Sequence, residues 1–379
     1  MNNFKDIILL FGGDFIPPTQ TYNIYSENLL DVLKDKDFSI INLEAPLTRC
    51  TQKIRKTGNN FKSSPESVKY LVDGNFNAVC LSNNHIRDFG NQGVLDTLNN
   101  CKNYNILTVG GGLNSDQAAQ PLSVSINSKK ISFLNYSEKE FNIAGPGHAG
   151  ANSFDLIDAF YQIKGAKKDN DYVIVIYHGG LEYHYLPSTE IIKRFKFFVD
   201  AGADSVVSHH THRYSGMMLH KNKPIFFGLG NFFASTKTAA TDSWLKGIMV
   251  QLKITETGIY HRIIPTKMAS DFGSVDLLEG HEKQKILEHF DKFSEKISDE
   301  KAIQSYWEDI YCSSSDRFTN LIKSDSRLEF RLRKRLPKIF KTELSQYKLL
   351  TILNLFRCDA HRDQVVKVLE NMYNGIKGK

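Results

Sequence analysis

Short apolar runs that end in polar residues recur along the chain. The first covers residues 6–11 and leads through two glycines to Asp14. Runs of four to eight apolar residues bounded by turn residues are typical of buried strands. The pattern predicts five such strands, each followed by polar side chains, at residues 6–11, 38–43, 77–82, 172–177 and 204–208.

Helix-like segments lie between these strands. Apolar residues recur there at three- and four-residue spacing, at residues 64–73, 90–104 and 188–201. Further strands are predicted at residues 224–228, 248–254 and 260–264. Alternating strands and helices indicate an α/β fold, in which ligands bind in the crevice beyond the strand ends. The polar clusters are therefore expected to share one location.

The pattern changes from about Lys267. Strand signals stop, Lys and Glu become frequent, and helices are predicted at residues 282–297, 301–311 and 347–355. We interpret this as a main domain, residues 1–268, followed by a helical C-terminal appendage, residues 269–379.

The composition of the 379 residues, 41% hydrophobic and 24% charged, is that of a globular protein. No apolar run is long enough to span a membrane, and the first residues lack the features of a signal peptide, so a cytoplasmic location is expected. The five cysteines are scattered and lack C-x-x-C spacing, which favours neither a disulfide framework nor a thiolate zinc site.

The residues at the strand ends include six candidate metal ligands. Oxygen donors and imidazoles together suit a borderline ion such as Mn²⁺, Fe²⁺ or Zn²⁺. In an extended segment His210 and His212 would project to the same side, and a carboxylate at Glu44 would be able to bridge two ions. Each residue alone has an ordinary alternative role as a turn or capping residue, and the prediction depends on the whole set: Asp14, Glu44, Asn84, His178, His210 and His212.

Eight motifs occur in an order that resembles the bacterial capsule-synthesis (CapA, poly-γ-glutamate) family within the calcineurin-like metallophosphoesterase superfamily. They span about residues 6–265 and are Gly-Gly-Asp14, Asn42-Leu-Glu-Ala-Pro46, Phe61-Lys-Ser-Ser-Pro65, Asn83-Asn-His85 with Asp88 and Gly90, Gly110-Gly-Gly112, His178-Gly-Gly-Leu-Glu-Tyr183, Ala201-Gly-Ala-Asp204 with Ser208-His-His-Thr-His212, and Gly228-Leu-Gly-Asn-Phe232. The resemblance implies a layered β-sandwich flanked by helices.

The resemblance also implies how the ligands are divided. Asp14 and His212 would hold one ion, Glu44 would bridge, and the second ion would be held by Asn84, His178 and His210. Ile16 occupies the position at which the superfamily usually carries a second ligand for the first ion, although the capsule family shares this difference. The prediction is therefore one or two divalent ions.

Catalytic and substrate roles follow from the same resemblance. His85 resembles the acid that protonates the leaving group, and an imidazole suits this role at neutral pH. Asp88 is either the residue that orients His85 or a capping residue. Candidate contacts to an anionic substrate are Lys62, Arg87, Glu182 and Tyr183, and Asn231 is expected to support the pocket floor.

A basic run covers residues 323–341, and it accounts for much of the net charge of +6. Its mixture of Arg and Lys with Leu, Phe and Ile suits an amphipathic helix. Peripheral contact with the inner face of the membrane or with a polymer-synthase complex is one interpretation, and a solvated helix face is the other. No nucleic-acid recognition motif is present, so no nucleic-acid partner is expected.

The leading hypothesis is a metal-dependent hydrolase of the metallophosphoesterase type that acts on a phosphorylated or polymeric anionic substrate in bacterial capsule, surface polysaccharide or poly-γ-glutamate biosynthesis. One alternative keeps the metal site but places an amide or γ-glutamyl bond there, for hydrolysis or transfer. Another alternative is a non-catalytic accessory subunit of a membrane-associated polymer synthase.

Overall fold

The structure is a computed structural model, and it describes residues 5–19, 23–234, 241–313 and 346–377. Its strands are β1 Ile7–Ile16, β2 Phe38–Leu43, β3 Ala78–Cys80, β4 Leu107–Val109, β5 Gly111–Gly112, β6 Leu122–Ile126, β7 Lys129–Ser137, β8 Gly150–Ala151, β9 Tyr172–His178, β10 Ser205–His209, β11 Met217–His220, β12 Lys223–Phe226, β13 Asn231–Ala234, β14 Lys246–Thr255, β15 Gly258–Met268 and β16 Val275–Leu277. Its helices are α1 Glu27–Lys34, α2 Lys69–Asp73, which continues a 3₁₀ turn at Pro65–Val68, α3 Gly90–Asn103, α4 Ser115–Ala118, α5 Leu156–Asp169, α6 Thr189–Ala201, α7 Asp242–Leu245, α8 Gly280–Ser298, α9 Glu300–Ser313, α10 Gln346–Arg357 and α11 Asp359–Lys377.

Two large sheets form the centre of the fold. The first contains eight strands in the order β16-β15-β14-β1-β2-β3-β4, with β13 paired to β1. The second contains six strands in the order β11-β12-β10-β9-β7-β6. A small two-stranded sheet, β5 with β8, lies beside them.

Apolar side chains form three cores, one between the two large sheets and one on the outer face of each sheet. Side chains from both large sheets, among them Phe11 of β1 and Ile176 of β9, form the core between the sheets. The outer face of the first sheet packs against α1 and α3, and the outer face of the second packs against α5, α6 and α9. The predicted α/β layered sandwich flanked by helices is confirmed.

Local sequence signals account for the helix boundaries around the site. Ser188 is the N-cap of α6, and its hydroxyl accepts a hydrogen bond from the Ile191 amide at 3.3 Å. Gly202 ends the same helix with a φ of +127°, a left-handed conformation that glycine adopts without steric cost. The helix packs on the second sheet and precedes β10, the strand that leads to the histidine pair.

The predicted elements are present, and the structure adds others, some of which lack a strong periodic signal. The hairpin of β6 and β7 is an example, because β6 alternates half-buried aliphatic residues with serines and lies at the edge of its sheet. Helix α5 has weak amphipathic character and was also missed. Tertiary packing, rather than local propensity, stabilises such elements.

The residues after 268 pack against the sheets at several points. Strand β16 pairs with β15, so sheet pairing continues beyond the predicted boundary at residue 268. The indole Nε1 of Trp307 in α9 donates a 2.7 Å hydrogen bond to the Pro187 carbonyl. The basic run at residues 323–341 lies outside the described residues. Among the described helices, none is long and apolar enough to cross a membrane.

Candidate metal centre

The parallel strands bring the predicted ligands to one edge of the two sheets. Asp14 lies near the end of β1, Glu44 follows β2, and His178 is the last residue of β9. His210 directly follows β10. Because β1 and β2 are parallel neighbours, as are β9 and β10, their carboxyl ends meet across the sandwich. The side chains of Asp14, Glu44, His178, His210 and His212 are buried there.

Two groups of donor atoms at this edge are spaced for metal binding, and they share one residue. Glu44, His178 and His210 form the first, and Asp14, Glu44 and His212 form the second; within each group the donor atoms lie within 4.8 Å of one another. Glu44 Oε1 is 3.4 Å from His178 Nε2, and Glu44 Oε2 is 3.9 Å from His212 Nδ1. The two carboxylate oxygens thus face different histidines, as a bridging ligand requires.

The surroundings of Glu44 fit a cation. Both of its carboxylate oxygens are buried and have no hydrogen-bond partner among the described residues. Burial raises the pKa of Glu44 well above its usual value, and the nearby carboxylate of Asp14 raises it further. Burial of a carboxylate without a partner costs several kcal/mol, roughly, in a protein interior. A bound divalent ion offsets this cost.

The imidazole nitrogens fit the same interpretation. His178 Nε2 lies 3.0 Å from His210 Nδ1 and 3.0 Å from the amide oxygen of Asn84. Burial lowers the pKa of His178 well below its usual value, and burial lowers the pKa of His210 to about 4. Both rings are therefore neutral near pH 7, the state in which imidazole binds metals. The structure brings Asn84, His178 and His210 together beside Glu44, as the resemblance implied.

The geometry of the histidine pair differs from the prediction. Residues His210 and His212 do not belong to an extended segment, because β10 ends at His209 and both have left-handed backbones, with φ values of +91° and +52°. Their rings nevertheless lie 6.3 Å apart and face the same centre. Left-handed backbone at non-glycine residues costs about 1–3 kcal/mol each and is common at functional sites.

The second donor group contains residues that position the ligands. Asn231 Oδ1 lies 2.9 Å from His212 Nδ1, the nitrogen that also lies 3.4 Å from Asp14 Oδ2, and Asn231 Nδ2 donates to the Trp244 carbonyl at 3.1 Å. Asn231 therefore lies on the same side of the His212 ring as Asp14 and Glu44 and contacts the candidate ligands directly. The side chain of Ile16 lines the adjoining cavity, at the position where the superfamily usually has a further ligand.

His85 is held beside the ligands by two charged residues. Its Nδ1 donates to Asp88 Oδ2 at 2.7 Å, so Nε2 remains for a substrate. Lys56 Nζ forms a salt bridge with the other oxygen of Asp88 and lies 3.1 Å from His85 Nδ1. Burial lowers the pKa of His85, as does the charge of Lys56, while Asp88 acts in the opposite direction. The structure therefore places Asp88 where it orients His85.

A cavity of about 710 Å³, called here the metal cavity, opens above the ligands. Glu182 and Tyr183, the predicted substrate contacts, line it, and the Tyr183 ring lies 6.0 Å from the His212 ring. Burial opposes ionisation of Glu182, but His210 and His212 bring its pKa below the usual value. The opposite wall comes from the helical appendage and includes Thr351, Asn354 and His361.

Lys62 and Arg87 are not brought into the metal cavity. The ammonium of Lys62 donates to the Cys50 carbonyl at 2.6 Å and lies 4.7 Å from the centre of the Phe89 ring. Arg87 Nε donates to the Ala149 carbonyl at 2.9 Å, and its side chain lines a neighbouring cavity. Both are held by local contacts, which the sequence did not indicate.

Sequence reasoning also missed several residues of the site. Asn42 Nδ2 donates to Asp14 Oδ1 at 2.8 Å and lies 3.2 Å from His178 Nδ1, so it positions two ligands. The two-residue spacing of Asn42 and Glu44 was a usable signal, because such residues share one face of a strand. Lys56, Glu140 and His361 lie in loops or in the appendage, where no local pattern identifies them.

Comparison with known proteins supports the family predicted from the motifs. The family model described as "Bacterial capsule synthesis protein PGA_cap" matches residues 9–236. The capsule biosynthesis protein CapA of Bacillus anthracis is 30% identical over 266 residues, which cover 67% of this chain and 61% of that protein. The PGA biosynthesis protein CapA of Bacillus subtilis is 32% identical over 238 residues, 60% of each chain. The chain thus spans about three fifths of the length of these relatives.

Solved structures show a more distant likeness. A putative 5'-nucleotidase from Staphylococcus aureus, solved in complex with alpha-ketoglutarate, has a TM-score of 0.43 and 16% identity, and the match covers 76% of this chain and 58% of that one. A hypothetical protein from Thermus thermophilus has a TM-score of 0.42 and 13% identity, covering 68% of this chain and 99% of that one. The family model, by contrast, matches more than half of the chain and includes all six candidate ligands. This protein therefore belongs to the PGA_cap family of bacterial capsule synthesis proteins.

Proposed function

We propose that the protein is a metal-dependent hydrolase that cleaves a phosphoester during assembly of a bacterial surface polymer. The observation that carries this proposal is the pair of donor groups that share Glu44, whose two oxygens are buried without hydrogen-bond partners among the described residues. Two ions about 3.5–4 Å apart that share a carboxylate form the usual arrangement for phosphoryl displacement. The family's association with capsule synthesis supports the place of the reaction.

Each residue of the site has a role that follows from its position. Bound divalent ions supply Lewis-acid stabilisation of charge on phosphoryl oxygens and lower the pKa of water. Asp14, Glu44 and His212 would hold one ion, and Glu44 with Asn84, His178 and His210 would hold the other. The imidazolium form of His85 donates its Nε2 proton to the leaving oxygen and becomes neutral imidazole, while Nδ1 keeps its own proton and its contact with Asp88. The buried ammonium of Lys56 adds positive charge beside this pair.

The test combines metal analysis with kinetics. The purified protein, reconstituted with Mn²⁺, Fe²⁺ or Zn²⁺, is expected to retain metal at stoichiometric level after dialysis and to hydrolyse at least one member of a phosphoester panel. His85→Ala is expected to lower kcat by about 10²–10⁴ because the general acid is lost. Metal content of this variant stays at the wild-type level, since His85 is not a ligand.

His220→Ala is the matched control for the loss of an imidazole. His220 pairs with Asp200 on the surface, away from the metal cavity, so its removal is expected to leave turnover unchanged. The proposal is wrong if the wild-type protein retains no metal, or if His85→Ala turns over substrate as fast as His220→Ala.

The relatives favour a second candidate on the same site. One of them is a PGA biosynthesis protein, and the family model carries the same term, which suggests a γ-glutamyl amide as the bond. Assaying oligo-γ-glutamate for released glutamate in parallel with the phosphoester panel separates the two candidates. Glutamate release without phosphoester hydrolysis would establish the second and exclude the first.

A further inference from the structure

A second cavity adjoins the metal cavity and is rich in basic side chains. Its volume is about 390 Å³, and we call it the basic cavity. Glu140 lines both cavities, so the two adjoin at this residue. The polar residues that line the basic cavity, besides Glu140, are Arg55, Arg87, Lys139, His148 and Arg357.

Several basic side chains of the basic cavity have N–H donors that form no hydrogen bond within the described residues. Within the described residues, no hydrogen bond or ion pair engages the side chain of Arg55 or Arg357. Arg87 uses Nε and Nη1 for two backbone carbonyls, which leaves other N–H donors of its guanidinium. The salt bridge of Lys139 is long, with 3.7 Å between Nζ and Asp155 Oδ2. Within the described part of the chain, the acidic groups of the protein do not neutralise this excess of positive charge.

The basic cavity is completed by the helical appendage. Arg357 is the last residue of α10 and lies outside the residues matched by the family model. Contacts near it attach the appendage to the main domain: Asn354 Nδ2 donates to Glu140 Oε2 at 3.3 Å, and Arg194 pairs with Asp359 at 3.2 Å. These contacts bring Arg357 to the same cavity as Arg55 and Arg87.

We propose that the basic cavity binds an acidic group of an oligomeric substrate whose reacting group lies in the metal cavity. This deepens the proposed function and rests on it, since it takes the metal cavity as the reaction site. The shared chemistry is a chain of repeated anionic groups, carboxylates or phosphates, because guanidinium groups bind both in bidentate geometry. A single small anion would fill one cavity and leave the other without a ligand.

The contact at Glu140 suits such a chain. Burial raises the pKa of Glu140 to about 7, while the charge of Lys56 acts in the opposite direction. Near neutral pH a large fraction of this side chain is therefore protonated and repels a passing anion less than an ionised carboxylate does. The shared wall at Glu140 therefore repels less strongly a substrate that occupies both cavities.

The experiment measures binding rather than turnover. Metal-loaded protein comprising residues 1–379 is titrated calorimetrically with an oligo-γ-glutamate of roughly ten residues and, separately, with inorganic polyphosphate of similar length. Arg55→Gln and Arg357→Gln are each expected to weaken binding of the preferred probe by about five- to tenfold, since each removes a charge-assisted contact. The control Arg262→Gln makes the same change on β15, outside both cavities, and is expected to stay within about twofold of wild type.

The results of this titration distinguish failure of the basic-cavity proposal from failure of the proposed function. Selective binding of one probe identifies the anionic group as carboxylate or phosphate. Absence of binding by both probes overturns the proposal, as does equal affinity of Arg55→Gln, Arg357→Gln and Arg262→Gln. Weakened binding in the two cavity variants, in a protein that hydrolyses neither phosphoesters nor γ-glutamyl chains, supports the basic cavity and refutes the proposed function. Intact hydrolysis with unchanged binding supports the proposed function and refutes the role of the basic cavity.

Discussion

Glu44 belongs to both donor groups of the metal centre, whereas His212 belongs to one of them. We therefore expect Glu44→Gln to remove most of the bound metal from both positions, because an amide lacks the charge that bridges two cations. His212→Ala is expected to lose metal from the Asp14 position and to retain the ion held by His178 and His210. Elemental analysis of dialysed protein measures both stoichiometries.

The control for this comparison is His220→Ala, which removes an imidazole outside the centre. Its metal content should equal that of wild type. If His212→Ala loses as much metal as Glu44→Gln, the two donor groups do not act as separate positions, and the assignment of Glu44 as the shared ligand is wrong.

At the residue scale, sequence reasoning identified side chains that the structure brings together where residue type and strand ends coincided. Asp14, Glu44 and His178 are examples, because each lies at or just beyond the end of a buried strand and carries a metal-binding side chain. Lys56 shows the opposite case. Its salt bridge with Asp88 joins residues that are distant along the chain, and a single Lys in a loop without periodicity gives no sign of it.

At the scale of elements, the attachment of α10 and α11 depends on a buried ionic network. Arg194 of α6 contacts Glu138 at 3.3 Å and Asp359 at 3.2 Å, and its side chain is 12% exposed. Burial raises the pKa of Glu138, but the charge of Arg194 acts in the opposite direction. Removing the shared cation leaves the buried Glu138 without its ion-pair partner, whereas Asp359 keeps a 2.7 Å salt bridge with Arg362.

We expect Arg194→Met to lower the free energy of unfolding by about 3 kcal/mol, as is usual when one partner of a buried ion pair is removed. Urea denaturation measures the change. The matched control is Lys193→Met, since Lys193 pairs with Glu190 on the exposed face of the same helix and should change stability by no more than about 0.5 kcal/mol. Equal effects of the two variants would contradict a stabilising role for the network.

The parallel pairing of β1 with β13 depends on a glycine in β1. A Cβ at Gly13 would lie 2.2 Å from the backbone oxygen of Gly230, and the next residue, Asp14, is a candidate ligand. Gly13→Ala is expected to cost about 2 kcal/mol or more in stability and to lower metal content, because backbone must move beside Asp14. Thermal denaturation and elemental analysis check both effects.

Gly147 provides the control for this substitution, because a Cβ there would meet no atom within 4 Å. Gly147→Ala should leave the melting temperature within a few degrees of wild type and leave metal content unchanged. A Gly13→Ala variant with normal metal content would show that Asp14 tolerates displacement of its strand.

At the scale of the whole molecule, Glu140 makes stability depend on pH. Burial raises its folded-state pKa to about 7, from a usual value near 4.5 in an unfolded chain. The folded protein therefore binds more protons than the unfolded chain between these two values. Stability from this group is fully present below pH 4.5 and is lost as pH rises through 7, by at most roughly 3 kcal/mol.

Glu140→Gln is expected to remove this loss, so that the variant gains stability over wild type at about pH 8 but not at pH 4.5. Denaturation in urea at both pH values measures the difference. Glu256→Gln, at an exposed position, serves as the control and should follow wild type at both values. A Glu140→Gln variant without a relative gain at the higher pH would contradict the raised pKa.

The sequence by itself determined the strands that lead to the candidate ligands, the residues that end them, and the family to which the chain belongs. It did so because apolar periodicity and residue type are local properties, which can be identified in the sequence alone. Candidate ligand residues such as Glu44 and His210 were predictable for this reason.

Tertiary structure alone decided how those ligands combine. The sharing of Glu44 between two donor groups, the left-handed backbones of His210 and His212, and the meeting of Arg357 with Arg55 all depend on distances between segments far apart along the chain. Packing of the two sheets and the appendage sets those distances, and no local pattern encodes them.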